Sequence, residues 1–104
     1  MARFKAIIET TAVTDLRDII NYFTETLKEP VVAQRIYGSI KKQIKALNQM
    51  PLRFPLVRDE QLAMRGLRKM PTENYFVFYT ADESQKEVHI LRVLYNRRDW
   101  QNIL

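Results

Sequence analysis

The residues of this chain best suited to chemistry are cations gathered in its C-terminal part. Arg65, Arg68 and Lys69 come first, and Tyr95, Arg97 and Arg98 follow a strongly apolar run. Arginine and lysine beside a tyrosine stabilise a developing negative charge, and a phosphodiester is the obvious anion that needs this. In RNA the nucleophile would be the substrate's own 2′-hydroxyl. A lysine of lowered pKa or a tyrosinate would serve as base; arginine stays protonated and is poorly suited to that role.

Other catalytic sets are missing. The chain has no cysteine and a single histidine, His89. That removes disulfides, thiolate metal sites, a cysteine nucleophile and any histidine cluster. There is no glycine-rich phosphate loop and no G-x-S-x-G nucleophile turn. The carboxylates do not follow a metal-ligand pattern. No cofactor and no metal are expected.

The elements that must position these residues read as follows. Arg3–Thr10 alternates around Phe4, Ala6 and Ile8 and predicts a first strand. Val13, Leu16, Ile19, Ile20, Phe23 and Leu27 then recur at helical spacing, with Thr11 or Thr14 available as the cap. Pro30 ends this helix and suits the first turn of the next. The second helix carries Ala33, Ile36, Tyr37, Ile40, Ile44 and Leu47 on one face and Gln34, Arg35, Lys41, Lys42 and Lys45 on the other, until Pro51 stops it. A short connection makes the pair an antiparallel helical hairpin.

Pro51–Gln61 reads as a loop. Three strands follow: Leu62–Lys69, interrupted by Gly66; aromatic Asn74–Thr80; and Glu87–Tyr95, with Ala81–Lys86 as the turn between the last two. Short connections imply a largely antiparallel sheet. The fold expected is a single α+β domain over residues 1–104, ordered β-α-α-β-β-β, with the hairpin packed on a twisted antiparallel sheet. Leu16, Ile20, Phe23, Ile36, Ile40, Ile44, Phe78 and Val93 should be buried. In the last strand, alternation puts Val88, Ile90, Arg92 and Leu94 on one face and His89, Leu91, Val93 and Tyr95 on the other. Neither set is purely polar, so the strand should be central.

The chain has 104 residues and a formal net charge of +5, which points to an anionic partner, nucleic acid or acidic protein. Lack of cysteine fits a reducing cytoplasm. Met1–Glu9 has no long apolar core of a leader, and no run approaches the ~18 apolar residues of a membrane span.

Each cation also has a structural explanation. Arg65, Arg68 and Lys69 suit an edge strand that resists pairing, and Arg97 and Arg98 suit salt bridges with Asp99 or Glu73. Arg92 suits an ion pair, and Lys41, Lys42 and Lys45 a solvated helix face. His89 suits a satisfied, half-buried position, and Tyr75, Phe76, Phe78 and Tyr79 suit the core.

The block Gly66-Leu67-Arg68-Lys69, Asn74-Tyr75-Phe76-Val77-Phe78-Tyr79, Val88 to Tyr95 and Arg97-Arg98-Asp99-Trp100 resembles the C-terminal signature of RelE/ParE toxins. Leu47 through Val57, with Pro51 and Pro55, resembles the proline loop after their second helix. The resemblance implies a toxin of a bacterial type II toxin–antitoxin pair, neutralised by a cognate acidic antitoxin, with operator DNA reached only through that antitoxin. RelE-like members cut mRNA in the ribosomal A site, without a metal, and this translation-inhibiting cleavage is the function expected here; ParE-like members poison DNA gyrase, the alternative. For the RelE branch, the resemblance makes Arg65, Arg68, Lys69, Arg98 and Tyr95 the catalytic candidates. Arg97, Arg92, Lys41, Lys42 and Lys45 become the candidate RNA contacts. The sequence departs from that branch at Phe76, where RelE has arginine, and no tyrosine follows Arg98; Tyr95 is the candidate substitute.

Overall fold

The computed structural model describes residues 3–104; Met1 and Ala2, the first residues of the stretch read for a leader, lie outside the described residues. The order is β1 (Lys5–Ile8), α1 (Thr10–Asn21), α2 (Pro30–Ala46), α3 (Glu60–Met64), β2 (Arg68–Thr72), β3 (Tyr75–Asp82), β4 (Glu87–Tyr95) and α4 (Trp100–Ile103). A π-helical turn, Tyr22–Thr26, extends α1. Lys28, at φ 55°, then breaks the helix with a left-handed residue. Pro30 opens α2, where its missing N–H costs nothing.

The four strands form one sheet in the order β1-β4-β3-β2. β2, β3 and β4 form the expected antiparallel meander, but β1 lies parallel to β4, so the sheet is mixed. The antiparallel expectation came from short strand connections. It fails for β1 because β1 is separated from the meander by the whole helical hairpin, long enough for a crossover.

The helical hairpin covers one face of the sheet. Leu16 of α1 and Ile36, Ile40 and Ile44 of α2 pack on Tyr75, Val77, Tyr79, Val88, Ile90 and Val93. Ile20 and Phe23, expected in the core, are only half-buried, because they line grooves beside the hairpin. The other face is covered as well. Phe78 and Leu94 pack with Val57, Leu62 and Leu67, and Trp100, Ile103 and Leu104 of the C-terminal segment close over them. Coverage on both sides explains why β4 has no polar face.

Three local expectations are corrected. Leu62–Lys69 is not one strand: Asp59 caps a helix by accepting the N–H of Leu62 at 3.1 Å, and Gly66, at φ 81°, turns the chain into β2. The cap of α1 is Glu9, without a side-chain bond, while Thr11 donates its hydroxyl to the carbonyl of Leu91 at 2.7 Å. In β4 the register slips at a bulge, so that Phe78 faces Arg92 and Tyr79 faces Ile90. Leu91 is the extra residue, and the alternation reverses there. Val88, Ile90 and Val93 therefore share the hairpin face, and Leu91 and Leu94 the other.

Candidate functional site

The cations nominated by the sequence occupy three separate places. Arg65 is exposed at the end of α3, beside a small depression formed with Leu62, Leu67, Thr80, Leu91 and Leu104, on the face away from the hairpin. Arg68 and Lys69 are consecutive in β2, so they point to opposite faces. Arg68 donates to the carbonyl of Phe54 at 2.6 Å, while Tyr79 donates to the carbonyl of Pro51 at 2.8 Å. Together they pin the proline loop to the sheet. The Lys69 ammonium lies 4.4 Å from the ring centroid of Phe76 and 5.3 Å from that of Trp100, on the far face.

Tyr95 and Arg98 share the third place, a cleft of about 770 Å³ between α1, its π-helical turn, α2 and the ends of β3 and β4. The turn that follows β4 is closed by the N–H of Arg98 bonding the carbonyl of Tyr95 at 3.0 Å. The cleft is also lined by Tyr22, Phe23, Tyr75, Asp15, Asp18 and the Arg35–Glu73 ion pair. Asp15, Asp18, Ile19 and Tyr22 follow the helical repeat and form one stripe of α1 along the wall. Tyr75 sits at its base, edge-on to Tyr95 with ring centroids 5.9 Å apart. Burial, reinforced by the neighbouring hydroxyls of Tyr95 and Tyr22, raises the Tyr75 pKa above the ordinary value, so it stays a neutral phenol.

The remaining candidates have other surroundings. Arg92 is held by Asp15 through two bonds of 2.8 and 3.0 Å, which raises its pKa further and fixes it as a structural cation. Arg97 is exposed in the turn after β4. Lys41, Lys42 and Lys45 are exposed on α2, with the Lys41 ammonium 5.3 Å from the Tyr37 ring centroid. His89 bonds Glu9 at 2.7 Å and Glu87 at 3.1 Å; these carboxylates, Glu9 first, raise its pKa. Among the described residues no group of three histidine or acidic side chains stands ready to hold a metal, and no helix is long and apolar enough to cross a membrane.

Asp15, Asp18, Tyr22 and Glu73 were not nominated from the sequence as site residues. The spacing of Asp15, Asp18 and Tyr22 along the polar side of α1 was the available signal. What it lacked was any indication that the ends of β3 and β4 face that side.

Residues 6–100 match the family described as the ParE toxin of the type II toxin–antitoxin system parDE. The chain belongs to the ParE toxin family. No curated protein matches this toxin at the sequence level. Among solved structures, the chromosomal ParDE toxin–antitoxin system from P. aeruginosa is similar with a TM-score of 0.73 at 22% identity, over 91% of this chain and 98% of that one. The RelBE2 toxin–antitoxin complex from Mycobacterium tuberculosis follows at 0.68 and 23%, over 89% and 98%. An archaeal RelE–RelB complex from Pyrococcus horikoshii OT3 gives 0.60 at 15%, over 94% and 99%. At these identities the likeness is one of fold, and it includes both RelE and ParE structures.

Proposed function

We propose that this ParE-family toxin acts by binding a protein target, as a gyrase poison, and does not cut RNA. The observation that carries this reading is the dispersal of its cations. Arg65 borders a depression on the face away from the hairpin, Arg68 is turned onto the carbonyl of Phe54, and Arg98 lines the cleft on the hairpin side. Electrostatic catalysis requires donors aimed at one reacting centre. Tyr95 and Arg98 do share a cleft, which is what a ribosome-dependent mRNA endonuclease would need, but they share it with Asp15, Asp18 and Glu73. Arg92 and Arg35 take up Asp15 and Glu73, and Asp18 is left to oppose an RNA backbone beside Arg98.

A cognate antitoxin fits the same reading. The P. aeruginosa, M. tuberculosis and P. horikoshii structures are of toxin–antitoxin systems. The net charge of +5 speeds encounter with an acidic partner. A gyrase target and a co-encoded antitoxin would both have the toxin act in the cytoplasm.

The deciding experiment is expression in a bacterium, with transcripts probed for cuts at stalled ribosomes and the DNA-damage response followed in parallel. A DNA-damage response without cleavage is expected. Codon-positioned cleavage without that response would replace this reading with the endonuclease.

A further inference from the structure

Arg98 reaches the cleft from a segment that serves both faces of the sheet. The segment leaves β4 through a turn in which Asn96 donates its N–H to the carbonyl of Asn74 at 2.9 Å and Arg98 to that of Tyr95 at 3.0 Å. It then reverses at Asp99, whose φ of −77° and ψ of 73° form an inverse γ-turn, closed by the N–H of Trp100 on the carbonyl of Arg98 at 2.8 Å. The residues flanking this turn go to different places. Arg98 lines the cleft on the hairpin side, and Trp100 packs on the core of the far face.

The two are held very differently. Arg98 is exposed and has no ion-pair partner among the described residues, so its place depends on the backbone of its segment. Trp100 is half-buried, with its ring centroid 5.1 Å from that of Phe78, and Phe78 is edge-on to Phe76 at 6.2 Å. The Lys69 ammonium lies over the rings of both Phe76 and Trp100. Lys69 has no carboxylate partner among the described residues, and the ring faces take that place. The helix that follows has four residues, too few to hold itself, so these contacts keep the segment down.

We propose that Lys69 and Trp100 form a remote anchor that positions Arg98 in the cleft. The inference rests on the binding reading given above, in which Arg98 meets the target. Lys69 thereby acts from the far face, through Trp100, without touching what the cleft binds. Only one residue separates Arg98 from Trp100, and the γ-turn between them is tight, so fixing the ring fixes the backbone of Arg98. With the ring released, the chain beyond Asn96 frays and Arg98 is in place for a fraction of the time. The target must then supply the ordering, and its apparent affinity falls by that fraction.

The test compares Trp100→Ala, Trp100→Phe, Lys69→Ala and Lys69→Arg in the full chain, each with and without Arg98→Ala. Growth inhibition is measured at matched expression, and the melting temperature checks folding. Trp100→Ala should weaken inhibition roughly tenfold, as Arg98→Ala does, and Lys69→Ala roughly threefold. Trp100→Phe keeps an aromatic ring and Lys69→Arg keeps the cation, so both should stay within about twofold of the parent. Combined with Arg98→Ala, none of the changes should weaken inhibition further, because the residue they position is already gone. Trp100 is the one tryptophan of the chain, so its fluorescence reads the anchor directly. Emission should move to longer wavelength in Lys69→Ala, as the ring gains water, and stay unchanged in Arg98→Ala.

Losses that multiply to about a hundredfold in Trp100→Ala with Arg98→Ala would overturn the proposal, by showing that Trp100 acts on its own through stability. Full toxicity of Arg98→Ala, or of folded Trp100→Ala, would overturn it too. Where Trp100→Ala melts too low to compare, Lys69→Ala decides, since it leaves the apolar cover in place: parental toxicity, or a loss that Lys69→Arg does not restore, would overturn the anchor. Transcript cleavage at ribosomes by the parent toxin would sink the binding reading separately, by a measurement in which the anchor plays no part.

Discussion

Arg92 of β4 and Asp15 of α1 meet through two hydrogen bonds, and the same carboxylate accepts the backbone N–H of Val93 at 2.9 Å. The arrangement follows from the shortness of β1. That strand ends at Ile8, so the edge of β4 beyond it lacks a neighbouring strand. Thr11 takes the carbonyl of Leu91 and Asp15 takes the N–H of Val93, so α1 satisfies backbone groups that a longer β1 would have paired.

Asp15→Ala should therefore cost about 2–4 kcal/mol, because it strands both a guanidinium and a backbone donor. Asp15→Asn should cost less, since its amide oxygen can still accept from Val93. The pair can be apportioned by a double-mutant cycle with Arg92→Ala in urea. An Asp15→Ala midpoint equal to the parent's would mean that water replaces the carboxylate without loss.

His89 makes the stability depend on pH in a defined direction. It faces Glu9 at the β1–α1 junction, Glu87 in its own strand and Asp82 across the β3–β4 pair. Protonated, the ring donates to both Glu9 and Glu87; neutral, it has one N–H and can donate to only one of them. Its folded pKa is raised above 6.5, chiefly by Glu9. Its contribution is thus complete below that unfolded value and is lost as pH rises through the raised one. Unfolding midpoints at pH 5.5 and 8.5 should differ more for the parent than for His89→Gln. Equal differences would show that other groups set the dependence.

The parts of the fold that the sequence revealed are those set by repeating patterns. Leu16, Ile36, Ile40 and Ile44 are buried as their helical spacing required. The aromatic strand places Tyr75, Val77 and Tyr79 on one face and Phe78 on the other, as alternation demands. Patterns failed where one residue breaks them. The extra residue Leu91 reverses the alternation of β4, and a bulge is set by pairing rather than by composition. Leu62–Lys69 has the apolar residues of a strand, but Asp59, three residues before Leu62, caps a helical turn there and Gly66 ends it before β2 begins. The candidate site was least legible of all. Arg65 stands on the face away from the hairpin, while Arg68 and Arg98 stand at different places on the hairpin side, a distribution set by the turn at Gly66 and the strand pairing and not by composition.

That separation has a measurable consequence for the candidate residues. Arg98→Ala removes an unpaired cation from the rim of the cleft and should weaken growth inhibition by roughly tenfold, as expected for one polar contact at a binding surface. Arg65→Ala, on the far face, should have a much smaller effect. A catalytic pair would behave differently: each loss would cost about a hundredfold or more in rate, and the double variant would be hardly worse than either single one. Colony counts after graded induction of the three variants distinguish the patterns. Equal, severe and non-additive losses would return both arginines to one active centre.

The last expectation concerns the antitoxin. The exposed side of α2 carries Lys41, Lys42 and Lys45, and beside it lies a groove of about 250 Å³ lined by Ile8, Val13, Leu16, Arg17, Ile20 and Tyr37. Lys41, poised over Tyr37, stands where the charged and apolar surfaces meet. An acidic segment with apolar residues along one side would use both: its carboxylates would meet the lysines, and its apolar side chains would fill the groove. The two contributions respond differently to salt. Attraction between exposed charges reaches about 10 Å at 0.1 M salt and about 3 Å at 1 M, so it governs how often the partners meet. Apolar contacts are not screened and govern how long they stay together. Raising salt from 0.1 to 1 M should slow association by at least roughly tenfold while changing dissociation little. Surface-captured toxin and soluble antitoxin give both rates in one measurement. Lys41→Glu with Lys45→Glu should reproduce the slower association at low salt, and Ile20→Ser should speed dissociation at any salt. Dissociation that accelerates steeply with salt would mean that ion pairs alone hold the complex, and that the groove is left empty.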